Sequence, residues 1–270
     1  MIGGVLARAA RLTKVELCGF VATSTHVHLL CRARDGALST FMQFFLCNLS
    51  KKAGPLVDWR GQLWERRYAA EPVLDNAALD RRLRYILAHG VKEGLVRKVS
   101  EWPGLSCLQQ LLGSPKRVFP FYSWAQRWKS GELVEGGDRP WGAQWATDEE
   151  LELHPLPHWV PLNVAQRRAR VRAMVADIEA EGLRTHRNVL GADRVVAQDP
   201  HSRPARPDRR RRPWFHTTEP MFGREYMGRY RRFVRDFKIA VRRLQRGKCL
   251  LLKLIEFPTY SCAPHVFIRA

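Results

Sequence analysis

The sequence predicts a mixed α/β fold of the α+β kind, and three observations predict it. "VELCGFVATSTHVHLLCRA" holds two short apolar runs around a polar turn, the pattern of a β-hairpin. "GGVLARAARLTK", ahead of it, repeats apolar residues at helical spacing. "DNAALDRRLRYILAHGVKEGLV", further on, carries a longer apolar stripe behind a polar capping residue.

In the first helix Val5, Leu6, Ala9 and Leu12 fall on one side. The hairpin follows, with strands over Val15 to Val21 and His26 to Cys31, and "ATST" is its turn. "ALSTFMQFFLCNLSKKAG" reads as a helix that Ser39 or Thr40 caps and Gly54 ends. "LWERRYAAEPV" mixes aromatic and basic residues as a strand-like or irregular return. The next helix starts at a cap on Asp75 or Asn76, and Leu79, Leu83, Ile86 and Leu87 form its stripe. After Cys107 the chain turns rich in Gly, Pro and Trp, which predicts an irregular linker over 113–160 between a first domain, 1–112, and a helical, Arg-rich extension, 161–270. Within the extension, "NVAQRRARVRAMVADIEAEGL" reads as helix and "PHSRPARPDRRRRPWFH" as extended chain. "GREYMGRYRRFVRDFKIAVRRLQRGK" reads as a basic amphipathic helix with Tyr226, Tyr230, Phe233, Phe237 and Ala240 on one face.

The chain of 270 residues is 45% hydrophobic, enough for a packed core, and carries a formal charge of +20. Such a surface attracts polyanions, nucleic acid first among them. Arg predominates over Lys, which favours phosphate, because a guanidinium binds it bidentately. The cysteines at 18, 31, 47, 107, 249 and 262 form no CxxC pair, which argues against a zinc ribbon or a disulfide scaffold; most have apolar neighbours and read as buried thiols. No stretch approaches the roughly 20 apolar residues of a membrane span and no leader pattern opens the chain, so the expected compartment is the cytoplasm.

The candidate chemistry lies in the first domain. His26 and His28 share one strand face, because side chains alternate with period 2. His89 follows Tyr85 by about one helical turn on the long helix. Two strand imidazoles and one helix imidazole suit a three-ligand metal site with open positions, and a tyrosine one turn from the third ligand borders it. That pattern fits a phosphodiester held while a phenol oxygen attacks phosphorus. A phenol with a pKa near about 10 needs nearby positive charge, and Arg81, Arg82 and Arg84 are close in sequence. Trp64, Arg66 and Arg67 suit base stacking and phosphate contact. Arg209, Arg210, Arg211 and Arg212 suit phosphate contact that carries no sequence information. Tyr68, in "WERRYAAEP", competes with Tyr85 as nucleophile, and Glu71 competes as a metal contact. Each motif has a plainer reading: His26 and His28 as a partly buried polar pair, Tyr85 and Tyr68 as packing residues, Glu71 as a solvated carboxylate, the arginine run as a solvated tail.

"HVHLL" resembles the His-hydrophobic-His (HUH) motif of single-strand DNA nucleases. "RYILAHGVKEGLVRKVSEWPGLSC" is similar to the segment around the nucleophile of single-tyrosine transposases, especially the REP-associated branch, and "LWERRYAAEPV" resembles the segment before it. The resemblance runs from about Leu12 to Cys107. It implies that His26 and His28 are metal ligands, that His89 is a further metal contact, and that Tyr85 is a nucleophile forming a 5′-phosphotyrosine. It also implies Mg²⁺ or Mn²⁺ as cofactor, single-stranded or hairpin DNA as substrate, a homodimer, and a ferredoxin-like sheet. Two departures accompany it. Gly90 stands where the REP-associated branch has proline. The family opens with a strand before its first helix, whereas this chain begins almost at the helix, so the expectation is either a truncated start or a sheet short of that strand. The competing expectations are a degenerate or domesticated DNA-binding protein without cleavage, and an RNA-binding protein on the same sheet, against which the lack of an RNP-type aromatic motif counts.

Overall fold

The computed structural model describes residues 1–34, 36–123, 125–126, 129, 143–202, 213–245 and 265–270. It is an α+β fold with two antiparallel sheets. Helix α1 (Ile2–Thr13) ends at Lys14, whose left-handed backbone (φ 55°) turns the chain into β1 (Glu16–Ala22). Strand β2 (Val27–Arg32) returns antiparallel, so the predicted hairpin is present, with a register shift between Leu17 and Gly19. Helix α2 (Ala37–Ala53) follows; its N-cap is Gly36 and no side chain caps it, so neither Ser39 nor Thr40 plays that part, while Gly54 is the C-cap as expected. Strand β3 (Ala69–Pro72) leads to α3 (Asn76–Lys92). Asp75 caps α3 by accepting from the Ala78 N–H at 2.7 Å, and Leu79, Leu83, Ile86 and Leu87 are buried as the stripe requires.

The region read as a linker is ordered differently. After the short α4 (Leu108–Leu112), β4 (Lys116–Tyr122) pairs along its whole length with β5 (Ala146–Glu152) as a separate two-stranded sheet packed on α1. The ribbon tolerates Pro120 because each of its strands has only one neighbour. Arg8 and Arg11 of α1 fix it by sharing Glu149, a carboxylate buried at the strand–helix seam. Helices α5 (Val164–Thr185), α6 (Ala192–Val196) and α7 (Pro220–Gln245) follow. On the aromatic face expected for α7, Tyr226 and Ala240 are buried, whereas Phe237 is exposed.

The larger correction concerns the first sheet. Its order is β1-β2-β6-β3, and β6 (His265–Arg269) comes from the region read as a helical extension. Strand β6 is antiparallel to β2 on one side and to β3 on the other, so the sheet expected to lack a strand is four-stranded and filled from downstream. The extension therefore shares the first sheet. The edges are covered: Leu105 and Cys107 hydrogen-bond to β1, and His216 bridges onto β3 through Pro72 and Leu74. Helix α3 lies across β1 and β2. A glycine lets it approach, since a Cβ at Gly19 would stand 2.8 Å from Leu83 Cδ1. Among the described residues, no helix is long and apolar enough to cross a membrane.

Candidate metal centre

The hairpin and α3 bring His26, His28 and His89 together. One ligand nitrogen from each lies within 4.8 Å of the other two; bonds of about 2 Å to one ion require every pair to lie within about 4 Å, so the rings would close slightly on binding it. The ring centroids are 4.7 Å apart for His26 and His28, 4.8 Å for His26 and His89, and 4.8 Å for His28 and His89. Thr25 and Thr23 hydroxyls meet His26 Nδ1 at 2.9 and 3.2 Å, which turns Nε2 inward. That Nε2 and Nδ1 of His89 are buried without a hydrogen-bond partner, and the His28 ring is buried with no close side-chain partner, the Ile268 backbone being its one polar neighbour. Buried polar atoms in folded proteins are nearly always satisfied, so imidazoles converging from three positions with orphaned nitrogens among them are what a ligand set looks like without its ion. The residues therefore fit a metal.

All three imidazoles are held neutral, the state a metal needs. Burial, with His89 and Arg269 adding charge, brings His26 down to about 4. Burial and the other two histidines bring His28 down to about 2. Burial, then Lys92 and Arg269, brings His89 down to about 4.

Tyr85 borders this cluster. Its ring meets His28 edge-on at 5.3 Å and lies 5.9 Å from His89. Arg82 and Lys92 sit over the ring at 5.2 and 4.7 Å. Burial nevertheless raises the phenol above its ordinary value, with Arg269 and Arg82 pulling it back only in part. Of the three arginines expected to activate it, Arg82 alone acts on it. Arg84 is engaged with Glu181 at 2.6 Å, and Arg81 is exposed. All three still line a cleft of ≈ 460 Å³ between α3 and α5, with Tyr85, Lys92 and Glu181.

The other expected contacts are not gathered here. Trp64 packs on the core and donates to Leu46 O, while Arg66 and Arg67 are exposed on the preceding loop. Tyr68 packs against the core as its plain reading has it. Glu71 is neither solvated nor a ligand: it is buried and meets His216 Nε2 at 2.6 Å. Arg209, Arg210, Arg211 and Arg212 lie outside the described residues. The sequence reading missed Phe267, which stacks on His28 at 5.2 Å and meets Tyr85 edge-on at 5.8 Å. Its signal was the alternation in "HVFIR", a strand pattern at a place where helix was expected. Gly90 also finds its reason: a Cβ there would stand 2.8 Å from the Trp102 ring and 3.0 Å from Val96.

Comparison with protein-family models, with curated proteins and with solved structures gives no match to this chain.

Proposed function

We propose that this protein cleaves and rejoins single-stranded or hairpin DNA through a Tyr85–phosphate intermediate, as a transposase-like strand transferase. The observation that carries the reading is a phenol edge-on to a converging set of imidazoles with unsatisfied nitrogens, on a chain of net charge +20. His26, His28 and His89 would hold the metal, with Mn²⁺ favoured over Mg²⁺ because imidazole is a poor ligand for a hard ion. A bound divalent cation supplies Lewis-acid polarisation of the phosphoryl oxygens. The sheet order, with β6 between β2 and β3, supports a ferredoxin-like arrangement whose missing strand is supplied by β6.

The residues divide the work. Arg269 and Arg82 favour the phenolate against the burial that opposes it. The cleft beside α3, with its arginines, receives the strand leading to the scissile phosphate. The Tyr85 oxygen bonds to phosphorus and the P–O3′ bond breaks. The phenolic proton passes to solvent, and the departing 3′ oxygen takes one. The 5′ side stays joined to Tyr85 until a 3′ hydroxyl attacks and reverses the step. The same reading makes the cytoplasm its compartment and a homodimer its assembly, which light scattering of the purified protein tests.

The decisive assay incubates labelled hairpin DNA with the protein and Mn²⁺, followed by a denaturing gel. Wild type and Tyr68→Phe should give a covalent adduct, while Tyr85→Phe and His28→Ala should not. A folded, DNA-binding wild type without adduct refutes cleavage and leaves the degenerate DNA-binding protein. Preference for RNA over DNA in the same assay would favour the RNA-binding alternative.

A further inference from the structure

Strand β6 contributes more than pairing to the metal centre. Arg269 stands directly opposite His28 across the β2–β6 ladder and opposite Ala69 across β3–β6. Residues opposed in an antiparallel pair project from the same face, so Arg269 and His28 share the face that α3 covers. Phe267, two residues earlier on that face, confirms the direction by its contacts with both His28 and Tyr85.

We propose that Arg269 is the phosphate-binding residue of this site, its guanidinium taking the non-bridging oxygens of the phosphodiester that Tyr85 faces. The role presupposes the tyrosine-and-metal site proposed above and adds to it the group that recognises the anion. A guanidinium offers two parallel donors at the spacing of two phosphate oxygens, and Arg269 is half-buried on a strand beside the Phe267 ring, which limits the water competing for those bonds. The surroundings point the same way. Among the described residues, Arg269 is the one cation whose charge reaches His26, His28, His89 and Tyr85 alike. A positive charge beside three metal ligands weakens the binding of a cation. It favours the assembly once a phosphodiester anion lies between them. Arg82 and Arg84 stand on α3, whereas Arg269 stands on the sheet beside His28, so neither duplicates its position.

The test compares full-length wild type, Arg269→Gln and Arg269→Lys. Circular dichroism melts report whether β6 stays in place, calorimetry reports Mn²⁺ affinity, and phosphorus NMR relaxation reports binding of dimethyl phosphate to the Mn²⁺-loaded protein. Arg269→Gln should bind Mn²⁺ as tightly as wild type or more tightly, and dimethyl phosphate about 10- to 100-fold more weakly. Arg269→Lys should fall between them, and it carries the test if the glutamine variant does not fold. A purely structural Arg269 would lower the melting point and Mn²⁺ affinity together. Unchanged diester affinity in a folded, Mn²⁺-loaded variant overturns the proposal, as does a wild type that binds neither Mn²⁺ nor the diester. Diester binding that depends on Arg269, in a wild type forming no DNA adduct, would uphold the phosphate site and refute strand cleavage. An adduct formed equally by wild type and Arg269→Gln would uphold cleavage and refute the phosphate site.

Discussion

Acidification should unfold the metal-free protein through its histidines, at a magnitude the structure sets. His26, His28 and His89, with His265 on β6, have folded-state pKa values lowered to about 4, 2, 4 and 4, with burial the largest cause in each. The unfolded chain titrates them near about 6.5, so protons bind the unfolded state first. The stability that depends on their neutrality is therefore complete above that value and is lost as pH falls from it toward about 4. At pH 5.5 each unfolded imidazole is about nine-tenths protonated, worth about 1.4 kcal/mol per histidine and about 5–6 kcal/mol for four. That is comparable to the whole stability of an ordinary domain, about 5–15 kcal/mol. Saturating Mn²⁺ at about 100 times its Kd should add about 2.7 kcal/mol at pH 7.5 and hold that effect until pH falls toward about 4, where protons begin to compete for the same nitrogens in the folded state. Urea unfolding in chelator and in Mn²⁺ at pH 7.5, 6.5 and 5.5 measures both. His28→Leu should flatten the acid dependence by about one proton and abolish the Mn²⁺ effect. Stability that is level between pH 7.5 and 5.5, or an Mn²⁺ effect that survives His28→Leu, refutes the reasoning.

Further outcomes follow from other contacts. Asp75→Ala removes a carboxylate that accepts from Ala78 N, Thr218 N and the Thr217 and Thr218 hydroxyls, and thermal melts should show a loss of about 2 kcal/mol. Gly90→Ala drives a methyl into the Trp102 ring and should cost about 1–3 kcal/mol by urea titration, with Mn²⁺ affinity falling as α3 shifts. Calorimetry should rank the ions Zn²⁺ tighter than Mn²⁺ and Mn²⁺ tighter than Mg²⁺, and His89→Ala should erase the ranking. Replacing Arg209, Arg210, Arg211 and Arg212 by glutamine should weaken binding to every single strand alike, lowering the salt slope by up to about 3; loss of preference for one hairpin at unchanged nonspecific affinity would show that they read sequence.

Most of the candidate metal centre was legible because it is built on local periods. His26 and His28 follow from the alternation of a strand, His89 and Tyr85 from one turn of helix, and both elements are announced by Asp75 and the "ATST" turn. Convergence needed only α3 to cross the hairpin, which Leu79, Leu83 and Ile86 ensure by burying their stripe. What escaped was nonlocal. Strand β6 is five residues long, and nothing in "HVFIR" says which edges it will join. Once it joins β2 and β3, Arg269 and Phe267 enter the site, and Glu71 becomes a buried partner of His216 instead of a solvated acid. The β4–β5 ribbon was hidden by Pro120 and by a composition rich in turn formers. Its docking on α1 depends on Arg8 and Arg11, far away in sequence, meeting Glu149.

The position of β6 also sets a schedule for biosynthesis. Strands β2 and β3 leave the ribosome early, yet the partner both require emerges about 230 residues after β2, and closing so long a loop is slow. Until then the nascent chain carries two open strand edges, and Leu29, Leu30 and Cys31 of β2, fully buried in the finished sheet, lack their cover. Until β6 emerges, aggregation through those edges competes with folding. Stalling or premature termination before residue 265 would release an aggregation-prone product without Arg269, so incomplete molecules would never carry the finished centre. Synthesis of β6 would thereby be the step that completes the first sheet.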